Sequence, residues 1–270
     1  MILINGEQGG VIHAMDRGVM YGDGVFRTMC MRRGQVKNWP RQYLKLHADC
    51  QALDILCPAR QTLEHELQQL TRDQPDCVVK IIVTRGEGGR GYRVPASVSP
   101  NRVLLTSPLP DYPIEFWNEG VKLHLCNLRV SYQPRLAGIK HLNRLENVLA
   151  RMEWDDATIA DGLMLDAEGW VVECTMSNIF MRNGQRLLTP DLSQCGVAGL
   201  QRERILGHAP SLGLTTEVTH IDLPTLLQAD EIFVCNSVIG VWPVCQIGAT
   251  AIPLGPVAAQ MQGILERGLD

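Results

Sequence analysis

Aromatic residues are scarce in this chain, at 5% of its length, and no block of lysines and arginines is interleaved with them. With 25 basic against 29 acidic residues, a net of −4, it lacks the positive footprint that grips nucleic acid. Paired cysteines are missing too. The nine cysteines (Cys30, Cys50, Cys57, Cys77, Cys126, Cys174, Cys195, Cys235 and Cys245) are odd in number and scattered, with no C-x-x-C among them. That usage speaks against a disulfide framework or a metal site, and for a reducing compartment, the cytoplasm. Long apolar runs are also lacking. Residues 232–245 are broken by Asn236, Ser237, Gly240 and Pro243, short of the ~20 residues of a membrane span. The first seven residues, Met-Ile-Leu-Ile-Asn-Gly-Glu, have no basic segment before an apolar one, so no signal peptide is read.

What is present is the profile of a soluble globular chain. The 270 residues are 45% hydrophobic with a mean hydropathy of −0.03, enough to bury the core of one large domain or two small ones. An apolar run at residues 2–4 leads into Asn5-Gly6, a hairpin turn signal. Strand patterns follow at residues 25–31, 77–84 and 102–106, and helical spacing at 41–56 and 59–71. Three prolines within residues 107–113 read as a linker, which sets expected domains at 1–110 and 111–270. Beyond it, the pattern predicts a strand at 121–126, a helix at about 140–154 and a hairpin through the turn at 167–169. A helix starting near Gly199 and a last strand pair around 231–235 and 240–244 follow. The mixed order, without regular βαβ alternation, is that of an α+β protein.

Four segments carry candidate chemistry. Gly86-Glu-Gly-Gly-Arg90-Gly91 matches G-x-G-x-x-G, but two prolines follow where a dinucleotide fold needs a helix. It reads instead as a hairpin loop that presents Arg85 and Arg90 to an anion, or as a solvated loop. Lys140 is expected in the first turn of the 140–154 helix, with Ile139, Leu142, Leu145, Leu149 and Met152 as the apolar stripe. There the helix dipole would lower the ammonium's pKa and suit it to Schiff-base chemistry; the alternative is a plain exposed lysine. Glu173 ends an apolar strand, where a carboxylate is either paired with a cation or at the surface. Gly196-Val-Ala-Gly199-Leu200-Gln201 reads as a turn into a helix N-terminus, an anion site or an ordinary helix entry.

Taken in order, these segments resemble the fold-type IV family of pyridoxal-phosphate enzymes, over nearly the whole chain. The pieces that carry the resemblance are Asp16-Arg-Gly-Val-Met-Tyr-Gly-Asp-Gly-Val-Phe26, residues 85–92, Gly138-Ile-Lys-His-Leu-Asn-Arg-Leu-Glu146, residues 169–180 and residues 196–202. The family holds branched-chain aminotransferases, D-amino acid aminotransferases and aminodeoxychorismate lyases. The resemblance implies two α+β domains, the larger C-terminal one carrying the lysine, with pyridoxal 5'-phosphate between them, and a homodimer. Lys140 is similar to the lysine that binds the cofactor covalently, and Glu173 to the acid on its pyridine nitrogen. Leu200 and Gln201 match the backbone N–H groups, and Ser237 the hydroxyl, that hold its phosphate. The family's His-x-x-Arg-Leu segment is here Gln42-Tyr-Leu-Lys45-Leu46, so Lys45 keeps the charge of a phosphate-binding arginine without its fork.

Within the family the bacterial lyases are the most similar. Leu145 replaces a tyrosine, and Arg27 a glutamate, of the aminotransferases, while Thr28 matches a proton-transferring threonine of the lyases. The implied reaction is 4-amino-4-deoxychorismate to 4-aminobenzoate and pyruvate, a step of folate synthesis, with Lys140 and Thr28 catalytic and Arg85 and Arg90 on substrate carboxylates. Two alternatives stand beside it: an aminotransferase of the same fold, and a non-catalytic phosphate-ligand-binding module.

Overall fold

The computed structural model describes residues 1–267. They form two units: Met1–Pro110 with Ile139–Asn143, and Asp111–Gly138 with the described residues from Arg144 onward.

The first unit opens with β1 (Ile2–Ile4) and β2 (Glu7–Gln8), joined by Asn5 and Gly6 at φ of 53° and 90°. Both are left-handed, as a two-residue hairpin turn requires. Asp16 caps α1 (Arg17–Tyr21) by accepting the N–H groups of Gly18 and Val19. Then come β3 (Gly24–Arg32), β4 (Gln35–Val36), α2 (Trp39–Ala52), α3 (Arg60–Thr71), β5 (Cys77–Thr84) and β6 (Arg102–Ser107). The strands form one antiparallel sheet in the order β2-β1-β6-β5-β3-β4.

Strand alternation decides what each face does. Val25, Met29, Val79, Ile81, Val83 and Leu104 share a core with Leu46, Cys50, Leu63, Leu67 and Leu70 of α2 and α3. Arg27 has the same parity as Val25 and Met29, so a guanidinium is carried into that core. Asp49 on α2 meets it; both residues are buried. The opposite parity places Phe26 and Thr28 on the other face, with Thr28 opposite Lys80.

The helix expected at 140–154 is shorter, and this corrects the sequence reading. Residues 140–142 take their backbone bonds from β3: Phe26 donates to the Lys140 carbonyl and Leu142 to that of Gly24, each at 2.9 Å. Groups committed to a strand cannot close helical rings, so α5 covers only Leu145–Arg151. The same bonds place Ile139–Asn143 with the first unit, whereas the lysine was expected to belong with residues 111–270. The expected stripe divides accordingly: Ile139 is buried, while Leu145 and Met152 are 68% and 72% exposed.

The second unit adds α4 (Glu115–Asn118), β7 (Val121–Val130), α5, β8 (Ile159–Asp166), β9 (Val171–Cys174), β10 (Asn178–Asn183) and β11 (Arg186–Pro190). After α6 (Leu200–His208) come β12 (Thr215–Thr219), α7 (Leu223–Leu227), β13 (Glu231–Asn236), β14 (Gly240–Ile247), β15 (Thr250–Ala251) and α8 (Pro256–Arg267). The mixed sheet runs β12-β11-β10-β13-β14-β7-β8-β9, with β15 beside β14. One core gathers Leu123, Leu163, Val234 and Trp242. Another packs Phe180 and Phe233 against Ile205, Val257 and Met261 of α6 and α8. The buried Glu231 carboxylate accepts the Val257 and Ala258 N–H groups, meeting donors that the first turn of α8 cannot satisfy itself.

Candidate active site

In the first unit, Lys140 is held by its backbone. Its carbonyl accepts from Phe26, and its N–H donates to Asp49 Oδ2 at 3.3 Å. Its Nζ lies 4.6 Å from the centroid of the Phe26 ring, and the Nζ of Lys80 lies 4.7 Å from the same centroid. Thr28 stands two residues along β3 from Phe26, opposite Lys80. Two amines are thereby gathered around one aromatic ring, with Thr28 on the same face of β3. Lys140 does not sit at a helix N-terminus, since α5 begins five residues later, and the dipole activation expected from one is absent.

Asp49 anchors this arrangement from the core side. Burial raises its carboxyl above the ordinary value, against the opposing charge of Arg27, the Lys140 N–H and the charge of Lys45. Arg27 also donates to the Lys45 carbonyl at 3.3 Å. Lys45, half-buried on α2, thus lies within electrostatic reach of Asp49.

Arg85 is not presented to solvent as the sequence reading expects. Its Nε donates to Asp23 Oδ2 at 2.8 Å, and its terminal nitrogens to the carbonyls of Asp54 and Leu53 at 2.8 and 2.6 Å. A buried guanidinium saturated to this extent by protein acceptors serves the fold, so the substrate role is withdrawn from Arg85. Arg17 shares Asp23 Oδ2 at 2.8 Å and holds the carbonyls of Gly91 and Tyr92, each at 3.2 Å. Burial pushes the Asp23 carboxyl up, but the hydrogen bonds and charges of Arg85 and Arg17 outweigh it, leaving the group below its ordinary value. Arg90, in the same loop, is exposed.

In the second unit, Glu173 is buried on β9, and its Oε2 accepts the Val197 N–H at 2.9 Å and Asn178 Nδ2 at 3.5 Å. Asn178 ties the cluster together: its Nδ2 donates to the Val197 carbonyl at 2.8 Å, and its Oδ1 accepts from Gly199 N–H at 3.1 Å. Gly199 is the N-cap of α6, and no side chain caps that end. The first-turn N–H groups of Leu200 and Gln201 therefore have no acceptor within the helix. A Cβ at Gly199 would lie 2.4 Å from Asn178 Oδ1, so only glycine leaves this approach open. Asn178 also pairs in register with Cys235, which brings the end of β13 alongside. Ser237 stands in the turn after it, held by Asn236 Oδ1 accepting from Val238 and Ile239 at 2.8 and 2.9 Å.

The expected residues thus fall into two groups. Lys140, Thr28 and Lys45 gather around β3 and α2; Glu173, Leu200, Gln201 and Ser237 gather around Asn178. The second group fits a phosphorylated pyridine cofactor: an uncapped helix N-terminus opened by glycine suits a phosphate, and a buried carboxylate suits a protonated ring nitrogen. Sequence reading missed Asp49, Lys80 and Asn178. Two of them left a signal. Asp49 follows Leu46 by three residues, on the apolar face of α2, and Lys80 interrupts the apolar run of β5.

Comparison with known proteins bears on this geometry. The family model for class IV amino-transferases matches residues 24–247. An aminodeoxychorismate lyase of Vibrio harveyi is 34% identical over 269 residues, covering 98% of this chain and 99% of that protein. The crystal structure of 4-amino-4-deoxychorismate lyase from Pseudomonas aeruginosa is 41% identical, with a TM-score of 0.95 and full coverage of both chains. The branched-chain amino acid aminotransferase of Escherichia coli, 20% identical, shares the fold with a TM-score of 0.84 over 97% of this chain and 91% of its own. The expected α+β fold of the fold-type IV enzymes is the fold found, and pyridoxal phosphate is the cofactor of enzymes of this kind. With most of its length matched by the family model and a full-length relative above 30% identity, the chain belongs to the class IV aminotransferase family.

Proposed function

We propose that this chain catalyses the aminodeoxychorismate lyase reaction, converting 4-amino-4-deoxychorismate to 4-aminobenzoate and pyruvate in folate synthesis. The full-length likeness to the Vibrio and Pseudomonas lyases carries this reading. Lys140 would hold pyridoxal phosphate covalently and Glu173 its ring nitrogen. The Leu200 and Gln201 N–H groups, the Ser237 hydroxyl and Lys45 would hold its phosphate. When bound, the cofactor supplies an electron sink for the pair left behind as a C–H bond breaks.

The remaining work falls to side chains of this chain. Lys140 Nζ takes the proton from the ring carbon bearing the substrate nitrogen, as the neighbouring C–O bond breaks and the ring becomes aromatic. Thr28, on the same strand as Phe26, relays a proton to the methylene carbon of the departing enolpyruvyl group, which leaves as pyruvate. Arg90 and Lys80 are the cations proposed for the substrate carboxylates. Aromatisation drives the reaction forward, so positioning of Lys140 matters more than unusual basicity. The assembly proposed is a homodimer and the compartment the cytoplasm; nine free cysteines support the latter.

The test is a product assay on protein loaded with pyridoxal phosphate, against a Lys140→Ala control. Equal amounts of 4-aminobenzoate and pyruvate, lost in the control together with the cofactor's bound absorbance, are expected. Transamination of a D-amino or branched-chain acid, with neither product formed, would replace this reading with the aminotransferase.

A further inference from the structure

β8 places a carboxylate among leucines. Asp161 has the parity of Leu163 and Leu165, which fill the core around Val234 and Trp242, and it is 1% exposed. Glu173, paired in register with Met164, faces the other way. Burial pushes the Asp161 carboxyl above its ordinary value. Its Oδ1 accepts from Thr175 Oγ1 at 2.5 Å and from the Gly162 N–H at 2.8 Å, and its Oδ2 accepts from Ser177 Oγ at 2.7 Å. Both hydroxyls come from the short stretch, residues 175–177, that joins β9 to β10.

That join spans the sheet. β9 is an edge strand, and the path from it to β10 passes β8, β7, β14 and β13. In a flat sheet those steps, at about 4.8 Å each, would separate the two strands by about 24 Å. The chain from Cys174 to Asn178 can reach about 14 Å at most. The sheet therefore curls until β9 and β10 come together, and Asn178 Nδ2 lies 3.5 Å from Glu173 Oε2. The turn is held from several sides. Asn147 of α5 donates to the Thr175 carbonyl at 2.9 Å, and Asn236 Nδ2 to the Met176 carbonyl at 3.1 Å. The Cys174 N–H donates to the Ser177 carbonyl at 2.7 Å, and the Thr175 N–H to that of Gly162 at 2.9 Å. These bonds take main-chain carbonyls, which almost any sequence would offer; Asp161 takes the side chains.

We propose that Asp161 is a positioning residue for the cofactor: through Thr175 and Ser177 it fixes the turn that sets Glu173, at the ring nitrogen, against Asn178, at the phosphate end. The inference rests on the reading of Glu173 and the α6 N-terminus as the two ends of the pyridoxal phosphate site. Asp161 acts through the turn, from the opposite face of the sheet. An ionised carboxylate only accepts, so both hydroxyls are committed as donors and the turn is held in one arrangement. Without that anchor the link between Glu173 and Asn178 loosens. The acid at the ring and the asparagine that orders Val197 and Gly199 then lose their spacing together.

The test titrates full-length variants with pyridoxal phosphate and follows binding rather than turnover. Absorbance of the bound cofactor reports the ring, and its phosphorus NMR resonance reports the phosphate. In Asp161→Ala the dissociation constant should rise about tenfold or more, with both signals displaced. The pair Thr175→Val/Ser177→Ala should do the same, and adding Asp161→Ala to it should change little more, because the three residues form one contact. Thr175→Ser keeps the hydroxyl and should bind as wild type does. Should Asp161→Ala fail to fold, Ser177→Ala gives the same reading with a smaller rise. A lower melting temperature with an unchanged dissociation constant and unmoved signals would overturn the inference, as would displacement of one signal alone. Glu173→Gln and Gly199→Ala alter the two ends directly. If they too leave both signals unmoved, the site itself is misassigned and the inference falls with it. Signals that move in those two but not in Asp161→Ala refute the role of Asp161 alone. Neither result depends on which reaction the enzyme catalyses.

Discussion

The backbone N–H of Lys140 rests on the buried carboxylate of Asp49, 3.3 Å from its Oδ2. The same oxygen takes the guanidinium of Arg27, so one acid both neutralises a charge in the core and fixes the main chain of the candidate catalytic lysine. The positions of Arg27 and Lys140 are therefore linked through a residue that touches no reacting atom.

Asp49→Asn strands the Arg27 charge in the core and is expected to cost about 3 kcal/mol of stability. The double variant Arg27→Met/Asp49→Leu removes the charge pair altogether, and most of that loss should return, because paired buried ions add little over apolar contact. Turnover should stay low in the double variant, since the Lys140 N–H still lacks its acceptor. Urea denaturation and product release on the same three proteins check both halves.

Arg85 and Arg90 separate by position. Arg85→Ala removes three part-buried hydrogen bonds made by a buried guanidinium and should destabilise the protein by about 2–3 kcal/mol. Arg90→Ala, at an exposed site, should leave stability within about 0.5 kcal/mol while raising KM about tenfold if it holds a carboxylate. Melting curves and steady-state kinetics on the two variants decide the assignment.

The depressed carboxyl of Asp23 makes stability depend on pH in a definite direction. A group whose folded pKa lies below its unfolded one adds stability above the unfolded value, about 3.9 for aspartate. That stability is lost as pH falls through the folded value. Asp23→Asn should cost about 2 kcal/mol at neutral pH, and the gap to wild type should shrink from about pH 4 downward. Urea midpoints measured from pH 7 to pH 3 test the sign as well as the size.

Gly199→Ala places a methyl group against Asn178 Oδ1, although its φ of −68° is open to alanine. Asn178 must then shift from the Val197 carbonyl, and affinity for pyridoxal phosphate should fall about tenfold or more, some 1.4 kcal/mol. Gly207→Ala, in the same helix with nothing within 4 Å, should instead stabilise by about 0.5–1 kcal/mol. Cofactor titration by absorbance distinguishes the two.

Much of this was legible in the residues. The Asn5-Gly6 turn, the apolar run of residues 77–84 and the helical spacing of 59–71 are local signals, and the elements formed there. The site motifs, from Lys140 to Leu200, carried the family resemblance because backbone approach to a phosphate restricts residue types within a few positions of one another. Lys140 itself was placed in the wrong element. Residues 140–152 have helical spacing, yet 140–142 bond to Gly24 and Phe26, more than a hundred positions earlier.

What the sequence determined alone was the family, the element types set by periodicity, and the residues whose chemistry is tied to a motif. What only the tertiary structure decided was which charges serve the fold and which stay available to a ligand. Arg85 and Arg90 lie in one glycine-rich stretch, and nothing within it distinguishes them. Arg85 meets the carbonyls of Leu53 and Asp54, supplied by a turn thirty residues earlier, while Arg90 meets solvent. A guanidinium's role depends on the acceptors that arrive from distant parts of the chain, and those are set only when the sheet and helices pack.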